Sequence, residues 1–409
     1  MLSVGFKTFG CRLNQGESDS AARAFEDAGF RVLPPGDDDE AGDGGSLPGP
    51  DLLVVNTCTV TSKAEQKARR ILRLALRGNP RAVVIVTGCY AELGSDEIAS
   101  LGERILVVPG SRKGVLERFP EAFASELGPG GDPLAAAAAA LASLASADAD
   151  PFALGKGEAP HRARSLLKVE DGCDRACAYC RVRIARGRPV SLDADEAVRR
   201  ARKAAEGGRA EIVLTGVNLS RYSGCEGGFS GLLRRLVAET EGVSFRISSF
   251  EPEGIDADFI EAASSPRVRP FFHLPVQSGS PAVLARMGRS PDAEAILRAV
   301  AGLQRAKGDP FISLDMMTGF PGETDAEFGE SLAFARAVSP AWIHVFVFSP
   351  RPGTAAVRMR PLVPERVAVE RAAELSRLAR EGKAAYAGRW IGREVDAVIE
   401  RPGGAGEDR

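Results

Sequence analysis

The sequence predicts an α/β chain: an N-terminal parallel α/β domain, then six strand–helix units forming a partly open barrel, then the first strand of a small β module. Three observations predict it. Short apolar, β-rich runs alternate with helical patterns, an order that gives parallel sheets covered by helices. Each of the first three apolar runs ends at a cysteine. A loop after the fourth carries three more, Cys173, Cys177 and Cys180.

The totals set limits. At 409 residues, two or three domains are expected. A net charge of −2 excludes a globally basic nucleic-acid binder, so any nucleic-acid surface is a local patch. No secretory leader and no apolar run long enough to span a bilayer is read, so a cytoplasmic protein with no membrane partner is expected. Seven cysteines, an odd number, then favour a reducing compartment and metal or redox roles.

In the first domain, residues 1–123, Leu2–Phe9 leads to Cys11, Asp51–Asn56 to Cys58 and Ala82–Thr87 to Cys89. In Glu65–Arg77, Ala68, Ile71, Leu72, Ala75 and Leu76 repeat at i, i+3, i+4, i+7 and i+8, one face of a helix. Parallel strands stop at one edge, about 4.8 Å apart, and ligands bind at that edge. Three cysteines just past three such strands can therefore converge on a second cluster; three unrelated buried cysteines are the plainer reading. The same helix carries Lys67, Arg69, Arg70, Arg73 and Arg77, either a solvated face or a phosphate-contacting surface. Asp37–Glu40, with Gly42, Gly44 and Gly45, reads as a solvated loop insertion.

Residues 124–164 read as an Ala/Gly/Pro-rich linker, whose alanine tract Ala135–Ala147 has little large apolar surface to bury and forms at most a weakly docked helix. The barrel, residues 165–385, follows. Its strands are Leu166–Glu170, Glu211–Thr215, Ser244–Ser249, Pro270–Val276, Phe311–Thr318 and Ala341–Ser349, with helices near 193–206, 230–240, 256–264, 292–307, 325–338 and 364–386. Chemistry in such a barrel sits at the carboxyl ends of the strands. There stand the cysteine loop, Thr215-Gly216-Val217-Asn218, Glu251, Gln277 with Ser278, and the GFPGE turn ending at Glu323. Gln277 and Glu323 are candidate cofactor or substrate contacts. His273 is expected to be a hydrogen-bonded interior residue, and Cys225, without a spaced partner, a bystander thiol. Residues 386–409 read as a truncated β-barrel remnant: Tyr386–Glu400 offers one strand, and one strand cannot close a barrel.

The loop DGCDRACAYC, Asp171–Cys180, spaces its cysteines CxxxCxxC. Three thiolates can reach one point, and a cubane iron–sulfur cluster held by three leaves one iron open to a chelating small molecule. A zinc knuckle or a disulfide loop is the alternative, although no His or fourth Cys lies close in sequence. Arg175, Arg181, Arg183, Arg186 and Arg188 bracket the loop. Their charge could raise a cluster potential, hold a carboxylate or meet RNA phosphate.

The CxxxCxxC loop resembles the signature of the radical S-adenosylmethionine (SAM) enzymes, whose barrel is of this partly open kind. KTFGCRLNQ (Lys7–Gln15), NTCTVT (Asn56–Thr61), TGCYAE (Thr87–Glu92), the LTGVN turn with Tyr222, HLPVQSGS (His273–Ser280) with Met287, and GFPGET resemble the tRNA methylthiotransferases, closest to the branch acting on N6-threonylcarbamoyladenosine beside the anticodon. The resemblance implies two 4Fe–4S clusters, one on Cys173, Cys177 and Cys180 with SAM, and an auxiliary one on Cys11, Cys58 and Cys89. It also implies SAM contacts in the region of Tyr179, Thr215, Gly216, Gln277 and Glu323, a tRNA anticodon stem-loop as partner, and an electron donor such as a flavodoxin or ferredoxin. The alternatives are the same chemistry on N6-isopentenyladenosine tRNA or on a ribosomal-protein aspartate, or a two-cluster electron carrier. The chain departs from the family pattern where Arg181–Ile184 follows Cys180, in its alanine-rich linker, and in its short C-terminal module.

Overall fold

The computed structural model describes residues 1–33, 49–146, 150–156, 163–290 and 292–399. The acidic Asp37–Glu40 stretch, its glycines and the final residues 400–409 lie outside these. The chain divides into two compact units. The first is residues 1–168 with 184–187; the second is residues 169–183 with 188–409.

The first unit runs β1 (Ser3–Thr8), α1 (Arg12–Asp27), β2 (Arg31–Val32), β3 (Leu52–Thr57), α2 (Ser62–Gly78), β4 (Val83–Gly88), α3 (Cys89–Leu93), α4 (Ser95–Ala99), β5 (Ile105–Val107), α5 (Phe119–Glu126), α6 (Pro133–Ser143) and β6 (Ser165–Lys168). Five of its strands form one sheet in the order β2-β1-β3-β4-β5, all parallel, as strand–helix alternation requires. Val54, Val83 and Ile85 face one apolar layer with Phe25, Phe119 and Phe123. Val55, Val84 and Val86 face another with Ala68 and Leu72 of α2. The alanine tract is more firmly placed than its composition suggests. In α6, capped by the Asp132 side chain, Ala136, Ala137 and Ala140 are buried in the Phe119–Phe123 layer. Small side chains add little area each but let a helix approach closely, so packing holds a segment that apolar content alone would leave loose.

The second unit continues with β7 (Glu170–Asp171), α7 (Val182–Arg186, whose last residues belong to the first unit), β8 (Val190–Ser191), α8 (Ala194–Glu206), β9 (Glu211–Thr215), α9 (Gly228–Glu239), β10 (Ser244–Ile247), α10 (Ala257–Ala263), β11 (Phe271–Gln277), α11 (Pro281–Met287), α12 (Ala293–Lys307), β12 (Phe311–Thr318), α13 (Asp325–Val338), β13 (Trp342–Val347) and α14 (Glu365–Gly388). β9 pairs with β10, and β11 with β12 and β12 with β13, all in parallel; a bridge between Ser249 and His273 joins the two groups. The expected first barrel strand is interrupted: β6 ends at Lys168, and β7 turns to pair antiparallel with β8. The expected C-terminal strand is corrected too. Tyr386–Gly388 completes α14, Tyr386 packs edge-on against Phe311 and near Trp390, and residues 393–399 form no strand. A lone extended segment has no neighbour for its backbone groups, so strand propensity by itself does not make a strand.

Candidate active site

Three strand ends in the first unit present the N-terminal cysteines. The register sets Thr8 beside Asn56, Asn56 beside Thr87 and Thr57 beside Gly88, so Cys11, Cys58 and Cys89 leave one edge side by side. Side chains then lock the three loops together. The Asn14 amide donates to Phe9 O (2.9 Å) and Thr57 O (3.1 Å), and Asn56 donates to Asn14 O (3.0 Å). Thr57 Oγ1 donates to Thr87 O (2.6 Å) and accepts from Ala91 N (3.1 Å). Two glycines make room. Gly10 and Gly88 both have φ of +95°; a Cβ on Gly10 would lie 2.6 Å from Cys58 Cβ, and one on Gly88 would lie 2.4 Å from Thr57 O.

Cys58 lies within electrostatic reach of both Cys11 and Cys89, so the trio converges. Burial pushes the Cys58 thiol up to about 12, and protein packed around the Cys11 sulfur raises its thiol as well, although that residue opens to solvent on one side. Next to the trio, Glu17 is fully buried, and its Oε1 meets Lys113 (2.6 Å), Lys168 (2.9 Å) and Arg186 (3.2 Å).

The second unit holds the other trio on the loop after β7. Ala178 anchors it, donating from N to Met287 O (2.8 Å) and accepting at O from Ala356 N (2.8 Å). Cys180 is within reach of the charges of Cys177 and Cys173, and burial pushes its thiol up to about 11. Burial also raises Cys177, whose sulfur accepts from Arg289 at 3.8 Å. Arg289 is itself buried, bonded to Glu251 and to Pro275 O (2.8 Å). The Asn218 amide donates to Cys173 Sγ (3.6 Å) while its backbone N–H bonds Glu170 Oε2 (2.7 Å). A Cβ on Gly216 would lie 2.8 Å from that same carboxylate oxygen and 2.7 Å from Leu219 Cδ2, so a side chain there would displace the Glu170 carboxylate or Leu219.

All seven cysteines are free thiols, which sets aside the disulfide loop. Among the described residues, one group of three His, Cys, Asp or Glu ligand atoms lies within 4.8 Å of one another: His273, Asp315 and His344. Neither cysteine trio is that compact, as a single zinc with Zn–S near ~2.3 Å demands. Soft donors spread wider than that fit a multi-iron cluster. His273 is hydrogen-bonded as the sequence led one to expect: Nε2 meets Asp315 Oδ1 at 2.7 Å, and its ring stacks on His344, which accepts at Nδ1 from the Trp342 indole (3.2 Å).

The remaining sequence candidates divide. Tyr179 packs against the Met287–Phe320 cluster beside the loop, and burial raises its phenol well above the ordinary value. Gln277 ends β11, buried, with φ of +73°, a left-handed backbone rare for a side chain of this size and worth about 1–3 kcal/mol of strain. Glu323 serves as a brace: its carboxylate accepts from Gly319 N (2.8 Å) and Arg371 (2.6 Å). Cys225 has its sulfur on Gly228 O at 3.6 Å. Sequence reasoning missed Glu17, Lys113, Lys168 and Arg289. Asn14, Asn56 and Asn218 stood inside motifs it quoted, and polar side chains next to glycine at strand ends were the available signal.

Residues 167–335 match the Radical SAM superfamily, and residues 3–110 match Uncharacterized protein family UPF0004. The radical SAM methyltransferase TsrM from Kitasatospora setae shares the fold, with a TM-score of 0.57 at 16% identity over 92% of this chain and 84% of that one. Together with the cysteine loop at the carboxyl end of its strand, these matches define a radical SAM enzyme. More particularly, the chain belongs to the tRNA methylthiotransferase family. It is 39% identical to Threonylcarbamoyladenosine tRNA methylthiotransferase MtaB of Treponema pallidum (strain Nichols), covering 98% of this chain and 92% of that protein. It is 32% identical to MtaB of Bacillus subtilis (strain 168) (98% and 85% covered) and 31% identical to tRNA-2-methylthio-N(6)-dimethylallyladenosine synthase of Erythrobacter litoralis (strain HTCC2594) (97% and 86% covered).

Proposed function

We propose that this chain adds a methylthio group to C2 of N6-threonylcarbamoyladenosine at position 37 of tRNA, giving the 2-methylthio derivative. The observation that carries this reading is the pair of three-thiol sites, one in each unit, in a chain 39% identical to an MtaB protein. When bound, two iron–sulfur clusters and SAM supply a carbon-centred radical and the sulfur that is transferred, chemistry that an unactivated C2–H otherwise resists.

The chain's own residues hold and orient these groups. Cys173, Cys177 and Cys180 hold one cluster and leave an iron for SAM, with Tyr179, Thr215, Gly216 and Gln277 lining the SAM side. Cys11, Cys58 and Cys89 hold the auxiliary cluster. Exposed Lys67, Arg70, Arg73 and Arg77 on α2 meet phosphates of the anticodon stem-loop, whose bases can be splayed from their stack. Residues 1–123 form the auxiliary-cluster domain and 165–385 the radical SAM domain. A flavodoxin or ferredoxin supplies electrons in the cytoplasm; no helix among the described residues is long and apolar enough to cross a membrane.

The test is nucleoside mass spectrometry of N6-threonylcarbamoyladenosine tRNA incubated with reconstituted enzyme, SAM and reductant. Appearance of the 2-methylthio nucleoside is expected. Unchanged threonylcarbamoyl tRNA together with converted isopentenyl tRNA would move the chain to the other branch, and no conversion of either would remove the reading.

A further inference from the structure

The arginines around the CxxxCxxC loop share one charge but not one role. Arg175 pairs with Glu251 (3.4 Å) and Glu253 (3.1 Å). Arg186 belongs to the first unit and reaches the N-terminal trio instead. Its Nε donates to Cys89 Sγ at 3.4 Å, one terminal nitrogen donates to Asn14 Oδ1 at 2.7 Å, and the other meets Glu17 Oε1 at 3.2 Å. The side chain is 4% exposed and Glu17 is 0% exposed.

We propose that Arg186 is a positioning residue for the auxiliary centre, directing its Nε–H at the Cys89 sulfur and thereby favouring the reduced form of the cluster held there. This rests on the reading of Cys11, Cys58 and Cys89 as cluster ligands. The guanidinium is a planar fork whose donors have fixed relative directions. With Asn14 and Glu17 holding its terminal nitrogens, the Nε–H has one direction left, and the sulfur lies along it. Asn14 also ties the Cys11 and Cys58 loops together, so the same clamp that sets the arginine sets the trio. Lys113 and Lys168 draw on the same Glu17 oxygen, so the carboxylate's charge is divided among three cations and the guanidinium keeps positive character toward the sulfur. Reduction adds a negative charge to an iron–sulfur cluster. Hydrogen bonds to its sulfurs and nearby positive charge stabilise that state and raise the midpoint potential.

The test uses the full chain with Cys173→Ala, Cys177→Ala and Cys180→Ala, so that the auxiliary centre is the one cluster left, reconstituted anaerobically with iron and sulfide. Redox titration followed by electron paramagnetic resonance compares this parent with Arg186→Gln and Arg186→Lys. The expected result is a more negative midpoint potential and altered g-values in Arg186→Gln, with Arg186→Lys between it and the parent. Folded variants that carry the parent's iron and sulfide and titrate at its potential would overturn the proposal. If Arg186→Gln does not fold, Arg186→Lys decides: a shift supports the role and an unshifted potential removes it. A parent that binds no iron at all defeats the cluster reading, and the Arg186 role with it, before any arginine variant is measured.

Discussion

Glu17→Gln deletes a buried negative charge while keeping the shape of the side chain. Glu17 is fully buried, and one of its oxygens meets Lys113, Lys168 and Arg186 at 2.6, 2.9 and 3.2 Å. Removing one partner of a buried ion pair costs about 3–5 kcal/mol, because the other charge is left uncompensated. Here three cations lose the same partner, which puts the cost at the upper end, about 5 kcal/mol. That equals the low end of the whole stability of a domain, about 5–15 kcal/mol. At about 2–4 °C per kcal/mol for a unit of this size, its melting temperature falls by about 10–20 °C. Scanning calorimetry of the full chain measures this, with limited proteolysis assigning the first unit's transition. Lys168→Met added to Glu17→Gln removes one orphaned cation and recovers part of the loss. A melt within about 2 °C of the parent, under about 1 kcal/mol, refutes the reasoning. The acid dependence follows from the same cluster. Burial alone raises the Glu17 carboxyl, but Arg186, then Lys113 and Lys168, outweigh it and hold the group well below its ordinary value of 4.5. A carboxyl lowered by folding stabilises fully above the unfolded value and loses that contribution as pH falls toward the folded one. The parent's first unit therefore weakens below pH 4.5, and Glu17→Gln loses less across that interval.

Gly88→Ala puts a Cβ 2.4 Å from Thr57 O at a φ of +95°. Backbone strain of about 1–3 kcal/mol and overpacking of about 1–3 kcal/mol lower stability by about 2–6 kcal/mol together. Iron content after reconstitution drops with it, and normal loading at parental stability would show that the close approach is unimportant. Cys177→Ala is expected to abolish reductive SAM cleavage, read as the absence of 5′-deoxyadenosine, while the iron of the first unit's cluster is retained; 5′-deoxyadenosine at parental yield would contradict the assignment of this trio. Thr324→Ala removes a capping box in which Thr324 accepts from Glu327 N and Glu327 accepts from Thr324 N, and should cost about 1 kcal/mol in denaturant unfolding, with no change in metal content.

Much of the architecture was legible because it is written in local periodicity. Glu211–Thr215, Phe311–Thr318 and Asp325–Val338 stand where the patterns put them. The cysteines were legible for a related reason: an apolar run followed by Cys marks a strand end, and parallel strands share an edge. The charged cluster was not. Lys168 and Arg186 meet Glu17 across 151 and 169 positions, and nothing in the neighbourhood of Glu17 on α1 announces that it faces inward. Gln277 was noticed for its place after a strand, but its left-handed backbone arises from the register shift between Leu274 and Gln277, a property of strand pairing rather than composition. The brace on Glu323 was not legible, because its salt-bridge partner, Arg371, lies 48 residues on in α14. The strand read into Tyr386–Glu400 is absent among the described residues of that range for want of a neighbour, something a single segment does not encode.

The edge carrying Cys11, Cys58 and Cys89 makes an unusually portable part. Its coordinates are set by where three neighbouring strands stop, by two glycines with φ of +95°, and by amide clamps from Asn14 and Asn56. A protein engineer could copy the Thr8–Asn56–Thr87 alignment and those four residues onto another parallel sheet to bring three thiols to one edge without borrowing the rest of the enzyme.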